Sequence, residues 1–215
     1  MRAVIFDFDG TIADSFSTVI GITFHLTRDV QLADIEQVKL LRDNGISLTQ
    51  AIKQLNISKW RWPWLLQRGR SMMAKQIHQV PVFPGIEEVL RALSKEKYQL
   101  YIISSNSATN VEKFLLDKNL LPYFDHIYGG AGLFNKAKII RRVLKAERLN
   151  NDSVIYIGDE VRDIVAAAQV GIDCIAVSWG YNSAKLLSQY SPWAVVESAK
   201  QLKKTVNEWG VVSGT

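Results

Sequence analysis

A parallel α/β sheet with helices on both faces, interrupted after its first strand by a helical insertion, is the fold this sequence predicts. Short continuous apolar runs such as Ala3–Phe8 (AVIFDF) and Ser153–Ile157 read as strands buried on both faces, the habit of parallel sheets. After Pro84 those runs alternate with stripes of helical period, as successive βα units require. Between the first strand and that series, residues 15–80 carry helical periodicity and almost no strand signal.

The first strand is β-branched and aromatic, and Asp9-Gly10 ends it abruptly. Inside the insertion Pro63 opens a helix, and Leu65, Leu66, Gly69, Met72, Met73, Gln76, Ile77 and Val80 follow at three-to-four spacing. Pro81 and Pro84-Gly85 punctuate its end. Ile86, Val89, Leu90 and Leu93 then form a helix stripe before the strand Gln99–Ser104. A helix over 108–118 precedes a short strand near His126–Tyr128. A basic helix over 135–149 leads to the strand Ser153–Ile157, the helix Val161–Val170 and the strand Asp173–Val177. Ser198–Trp209 closes the chain as an amphipathic helix. The expected organisation is a Rossmann-like core of residues 1–14 and 81–215, carrying a helical cap of residues 15–80. A module inserted there covers the carboxyl edge of the sheet, where open α/β sheets bind their ligands.

With 215 residues and 47% hydrophobic composition, the chain can bury one substantial core or a core plus a small satellite. No apolar run reaches the roughly 18 residues of a membrane span, and Met1–Phe8 is too short for a signal-peptide core. A single cysteine, Cys174, excludes an internal disulfide and suits a reducing, cytoplasmic setting. The net charge of +5 has one source. Residues 16–80 hold nine Lys/Arg against four Asp/Glu, and the rest of the chain is balanced. Such a segment either attracts anions or is a solvated helical face.

Candidate chemistry sits at the strand ends. In extended chain Asp7 and Asp9 point to the same side, so they repel unless a cation or a proton intervenes. Mg²⁺ is the natural cation, being hard and partial to oxygen. Gly10 allows a sharp turn and, with Thr11, offers backbone amides to an anion. Ser104-Ser105-Asn106, after the next strand, supplies a hydroxyl and an amide for phosphoryl oxygens, or simply a helix cap. Lys136 and Lys138 open a helix, where a cation opposes the helix dipole unless carboxylates or a phosphate answer it. Asp159 follows a strand and begins a helix, with Asp163 four residues on and on the same face. Asp159 thus offers a further metal ligand, and Asp163 a group to orient it or hold a lysine.

Asp7–Thr11 (DFDGT), Ser105, Lys136 and Gly158-Asp159…Asp163 resemble, in order, the four motifs of the haloacid-dehalogenase-like hydrolase superfamily. The resemblance spans essentially the whole chain, residues 15–80 matching the helical C1-type cap of the phosphoglycolate-phosphatase-like branch. It implies a Mg²⁺-dependent phosphatase acting on a small-molecule phosphate monoester. Asp7 would be nucleophile and metal ligand. Asp9 would be general acid/base, its backbone carbonyl also on the metal. Ser105 and Asn106 would hold the phosphoryl group, Lys136 would neutralise it, Asp159 would bind Mg²⁺, and Asp163 would stand behind these ligands. Here the lysine motif reads Asn135-Lys136-Ala137-Lys138, which leaves Lys138 open, and Glu160 stands where relatives often have a small residue. Asp9 separates the chain from dehalogenases, which need no proton on their leaving group.

A sugar-phosphate mutase of the same architecture and a non-enzymatic phosphate sensor are the alternative readings. Trp60, Trp62 and Trp64, interleaved with Lys59 and Arg61, could stack bases. Such a cluster more often packs a cap or lines an entrance, so nucleic acid is not the expected partner. His25, His78 and His126 lack zinc-type spacing. Substrate identity and oligomeric state are not written in the sequence.

Overall fold

A computed structural model of the chain describes residues 2–26, 62–130 and 135–212. Six parallel strands form the sheet: β1 (Ala3–Phe6), β2 (Gln99–Ile103), β3 (His126–Tyr128), β4 (Val154–Gly158), β5 (Asp173–Val177) and β6 (Ala194–Val196), in the order β3-β2-β1-β4-β5-β6. The chain starts at the centre, winds outward to β3, then returns to the other side of β1 and winds out to β6. That reversal makes the gap between the carboxyl ends of β1 and β4 the switch point, the place where such sheets receive ligands. Phe6 lies level with Ile102 and with Ile157, so the segments that follow these three strands emerge together.

The helices around the sheet, in chain order, are α1 (Phe16–Leu26), α2 (Trp62–Gln76), α3 (Ile86–Lys95), α4 (Ala108–Asp117), α5 (Lys136–Ala146), α6 (Val161–Ala168), α7 (Ala184–Ser188) and α8 (Ala199–Val212). Alternation along the strands decides which face each residue serves. Val4, Phe6, Leu100, Ile102, Ile155 and Ile157 pack against α3, α4 and α8 through Leu90, Leu93, Phe114, Leu202 and Trp209. Ala3, Ile5, Tyr101, Ile103 and Tyr156 pack against α5 and α6 through Ile140, Val143 and Ile164. All four residues of β1 are buried, as a strand covered on both faces requires.

Between β1 and α3, the described helices α1 and α2 pack together, with Gly69 facing Ile22 and Leu26. The chain leaves and re-enters the core side by side. Ala13 and Val82 form an antiparallel bridge, Asp14 N donates to Pro81 O (2.9 Å) and Phe83 N to Ile12 O (3.0 Å). Trp60, Arg61 and Lys59 lie outside the described residues, while Trp64 is exposed. No described helix is long and apolar enough to cross a membrane.

Three differences from the sequence reading have physical reasons. β1 ends at Phe6 rather than Phe8, because the Phe8 carbonyl accepts from Ile12 N (2.9 Å) and Ala13 N (3.0 Å) and is committed to a turn. β6 and α7 were not foreseen; three and five residues are too short to show a period. Helix α6 is capped by Glu160 rather than Asp159: Asp163 Oδ2 accepts from Glu160 N (3.0 Å) and the Glu160 carboxylate accepts from Asp163 N, a capping box.

Candidate active site

Asp7 leaves the sheet with its N–H still on Ile157 O (2.8 Å), which fixes where its carboxylate points. Oδ1 accepts from Phe8 N (2.7 Å) and Oδ2 from Lys136 Nζ (2.7 Å). Gly10 then takes φ +79°, a left-handed turn in which a Cβ would fall 2.1 Å from Asp159 Oδ2. Gly10 N donates to Ala13 O (2.9 Å) and Thr11 N to Phe8 O (3.3 Å), so both amides are engaged inside the turn rather than turned to an anion. The Thr11 hydroxyl donates to Asp159 Oδ1 (3.0 Å). Gly10 and Thr11 therefore shape the site and steady Asp159, in place of the direct phosphate contact expected of them.

Asp159, fully buried after β4, is gripped from a second side by the loop after β5. Tyr181 N donates to its Oδ2 (2.7 Å), and Asn182 N to its carbonyl (3.3 Å). Gly180 sits so close that a Cβ would fall 2.2 Å from Oδ2 and 2.3 Å from Gly10 O. The Tyr181 hydroxyl meets Ser15 Oγ (3.0 Å), and its ring lies edge-on to Phe16 of α1. Gly180, Tyr181, Asn182 and Ser15 are the residues that reading the sequence missed. The Tyr181 and Asn182 contacts with Asp159 are made by backbone N–H groups, which leave no side-chain signature.

Lys136, the first residue of α5, is buried and bridges Asp7 Oδ2 and Asp163 Oδ1, with its ammonium 5.4 Å from the centre of the Tyr156 ring. Burial opposes its charge, but Asp163 and Asp7 outweigh burial and hold it well above the usual lysine range. Lys138 is exposed, so of the two lysines it is Lys136 that reaches the carboxylates. Glu160 pairs with Arg162 (2.5 Å) beside this cluster.

After β2, Ser104 Oγ accepts from Asn106 N (2.9 Å) and Ser105 remains partly open. The Asn106 amide reaches Asp9 Oδ2 (3.4 Å). From α2, Arg70 Nη2 donates to Ser105 O (2.9 Å), placing one basic residue of that helix at this loop, whereas Arg68 is exposed. Cys174 is buried, which pushes its thiol up and keeps it protonated.

The cluster is overloaded with acid. Among the described residues Asp7, Asp9, Asp159, Glu160 and Asp163 are answered by Lys136 and Arg162, a formal excess of three negative charges. Burial raises Asp159 well above the usual carboxylate range, with Glu160 and Asp7 adding to it. Burial also raises Asp7, against the pull of Lys136, and Glu160, against Arg162. Asp9 is pushed up to about 6 by burial, opposed by Ser15 and assisted by Asp7. Its Oδ1 is buried without a hydrogen-bond partner among the described residues. Asp7, Asp159 and Asp163 each bring a carboxylate oxygen within 4.8 Å of the others. An all-oxygen, anionic donor set fits a hard divalent cation, whose charge would offset the mutual repulsion of these carboxylates.

Residues 4–177 match the family model for haloacid dehalogenase-like hydrolases. The phosphoglycolate phosphatase of Synechococcus elongatus is 31% identical over 208 residues, which cover 97% of this chain and 98% of that one. The phosphoglycolate phosphatase of Pseudomonas fluorescens is 24% identical over 94% of this chain and 78% of its own length. Among solved structures, a haloacid dehalogenase-like hydrolase from Streptococcus pneumoniae superposes with a TM-score of 0.78 at 27% identity, covering 96% of this chain and 98% of that one. A predicted phosphatase from Clostridium acetobutylicum shares the fold at a TM-score of 0.83 and 24% identity, over 96% and 98% of the two chains. Fold, strand-end carboxylates and these matches define a phosphoric monoester hydrolase. The chain belongs to the haloacid dehalogenase-like hydrolase family, in its phosphoglycolate-phosphatase-like branch.

Proposed function

We propose that this chain is a Mg²⁺-dependent phosphatase that hydrolyses a small-molecule phosphate monoester through a phospho-aspartate on Asp7. The observation that carries the reading is the unequal setting of two carboxylates two residues apart. Asp7 is clamped by Lys136 and Phe8 N, whereas Asp9 keeps a buried oxygen, Oδ1, that has no hydrogen-bond partner among the described residues. A fixed carboxylate suits a nucleophile, and one with a free oxygen suits proton transfer. Asp7 attacks phosphorus in line while Asp9 protonates the leaving oxygen. Asp9 then takes a proton from the water that hydrolyses the aspartyl phosphate. Ser105 and Asn106 orient the phosphoryl group, and Lys136 offsets its developing charge. Mg²⁺ held by Asp7, Asp159 and the Asp9 carbonyl would supply further positive charge there. Asp163, whose two oxygens already accept from Lys136 and Glu160 N, orients the lysine.

Residues 15–80 act in this reading as the cap that selects the leaving group, with Arg70 its contact to the phosphate loop. The relatives' names make phosphoglycolate, a small ester carrying a second anionic group, the first substrate to assay. The single buried Cys174 and the lack of a membrane-spanning helix among the described residues favour a cytoplasmic enzyme.

A chelator test checks the metal. Purified protein should release phosphate from an aryl phosphate with Mg²⁺, lose that activity in chelator and regain it on Mg²⁺ addition. Mg²⁺ at about 100 times its Kd should also stabilise the fold by about 2.7 kcal/mol, read as a rise in Tm. Full activity in chelator would refute the metal requirement.

A second test addresses the grip on Asp159. Gly180→Ala puts a Cβ where Asp159 Oδ2 and Gly10 O already lie. The carboxylate must shift, so the Mg²⁺ concentration for half-maximal activity should rise about tenfold or more, the usual scale for losing a ligand's supporting contact. An unchanged Mg²⁺ titration would show that Gly180 does not set this ligand.

A further inference from the structure

Asn110, in the first turn of α4, is buried, and its side-chain amide has two partners on different parts of the molecule. Nδ2 donates to the backbone carbonyl of Arg70 on α2 (3.2 Å) and to Asn106 Oδ1 (2.9 Å). The Asn106 Oδ1 also receives Ser107 N (2.9 Å). Two donors on one side of the Asn106 amide settle its direction, because only the carbonyl end can accept. Its NH₂ end is thereby turned to Asp9 Oδ2 (3.4 Å). The reverse orientation would set a carbonyl oxygen against a carboxylate. Arg70 completes a reciprocal clasp, since its guanidinium donates to Ser105 O (2.9 Å) while its own carbonyl takes Asn110.

We propose that Asn110 is a positioning residue that directs the Asn106 amide at Asp9 and ties that direction to the seat of α2 on the core. The hydrogen bonds run without a break from the α2 backbone through Asn110 and Asn106 to the acid/base carboxylate. No other contact described for Asn106 Oδ1 joins it to the insertion. The proposal rests on the reading of Asp9 as general acid/base.

The test uses two esters without a second charged group, an alkyl phosphate such as glycerol phosphate and p-nitrophenyl phosphate. An alkoxide must be protonated as it leaves, whereas nitrophenolate hardly needs a proton, so a misdirected Asp9 harms the first far more. Asn110→Asp is nearly isosteric and an acidic residue suits the first turn of a helix, and a melting curve checks that the variant is folded. It cannot donate, and it turns the Asn106 amide the wrong way. It should lower kcat/KM for glycerol phosphate by about tenfold or more and for p-nitrophenyl phosphate by less than about threefold. Asn110→Ala should show the same pattern more weakly, because Ser107 N still holds Asn106 Oδ1. Equal losses on both esters, or no loss, would overturn the proposal. Asp9→Asn is the control. If it shows the leaving-group pattern and Asn110→Asp does not, the role of Asn110 alone is refuted. If Asp9→Asn lacks the pattern, the acid/base reading falls and the proposal with it.

Discussion

Asp7→Asn should lower turnover by about 10⁴-fold or more, the range found when a nucleophile is removed, while leaving the chain folded. An amide oxygen is a poor nucleophile, and no other described carboxylate can take its place. Asp9 points at Asn106, Asp159 is held by Thr11 and Tyr181, and Asp163 is held by Lys136 and Glu160 N. The fold should survive because Lys136 keeps Asp163 as its counterion and the cluster loses one of its excess negative charges. Circular dichroism and a melting curve, run beside the phosphate-release assay, separate lost chemistry from lost structure. Turnover at the wild-type rate would remove Asp7 from the mechanism.

Lys136→Ala should lower kcat by about 10²-fold or more, as when a donor to a developing charge is lost, and should also weaken the fold. The two effects share one cause. Lys136 is the buried cation between Asp7 and Asp163, so its removal leaves both carboxylates without their nearest counter-charge. Breaking a buried pair in this way costs about 3–5 kcal/mol, and Mg²⁺ should recover part of that stability. Lys138→Ala, two residues on and exposed, should match the wild type in rate and in Tm. The opposite ranking of the two lysines would mean that the phosphate-facing cation has been misassigned.

Much of this arrangement is legible in the sequence alone. Continuous apolar strands and helix stripes have strong periods, and the acidic and basic residues of the site stand at strand ends in the order the topology uses them. A lysine at a helix start was legible as a puzzle, because its charge opposes the dipole; Asp7 and Asp163 are the answer. The unforeseen parts share a different character. Tyr181 and Asn182 act on Asp159 through backbone N–H groups, and Gly180 acts by having no side chain, so residue type alone said little. Gly10 and Thr11 were read as anion binders because a glycine turn frees amides, whereas the turn consumes its own amides. Asn110 lies in the first turn of a capped helix, where its residue type alone signals nothing. Only the spatial approach of α2 showed what its second hydrogen bond reaches.

The most direct test of the central claim is mass analysis of protein quenched in acid during the first turnovers of p-nitrophenyl phosphate with Mg²⁺. Asp9→Asn is the protein to use, beside the wild type. Loss of the base should slow hydrolysis of the intermediate more than its formation from so good a leaving group. The account predicts the mass of one added phosphoryl group, located on the peptide that contains Asp7 and absent from Asp7→Asn. Phosphate release from the wild type with no phosphoryl group on that peptide, or with the group on another residue, would contradict it.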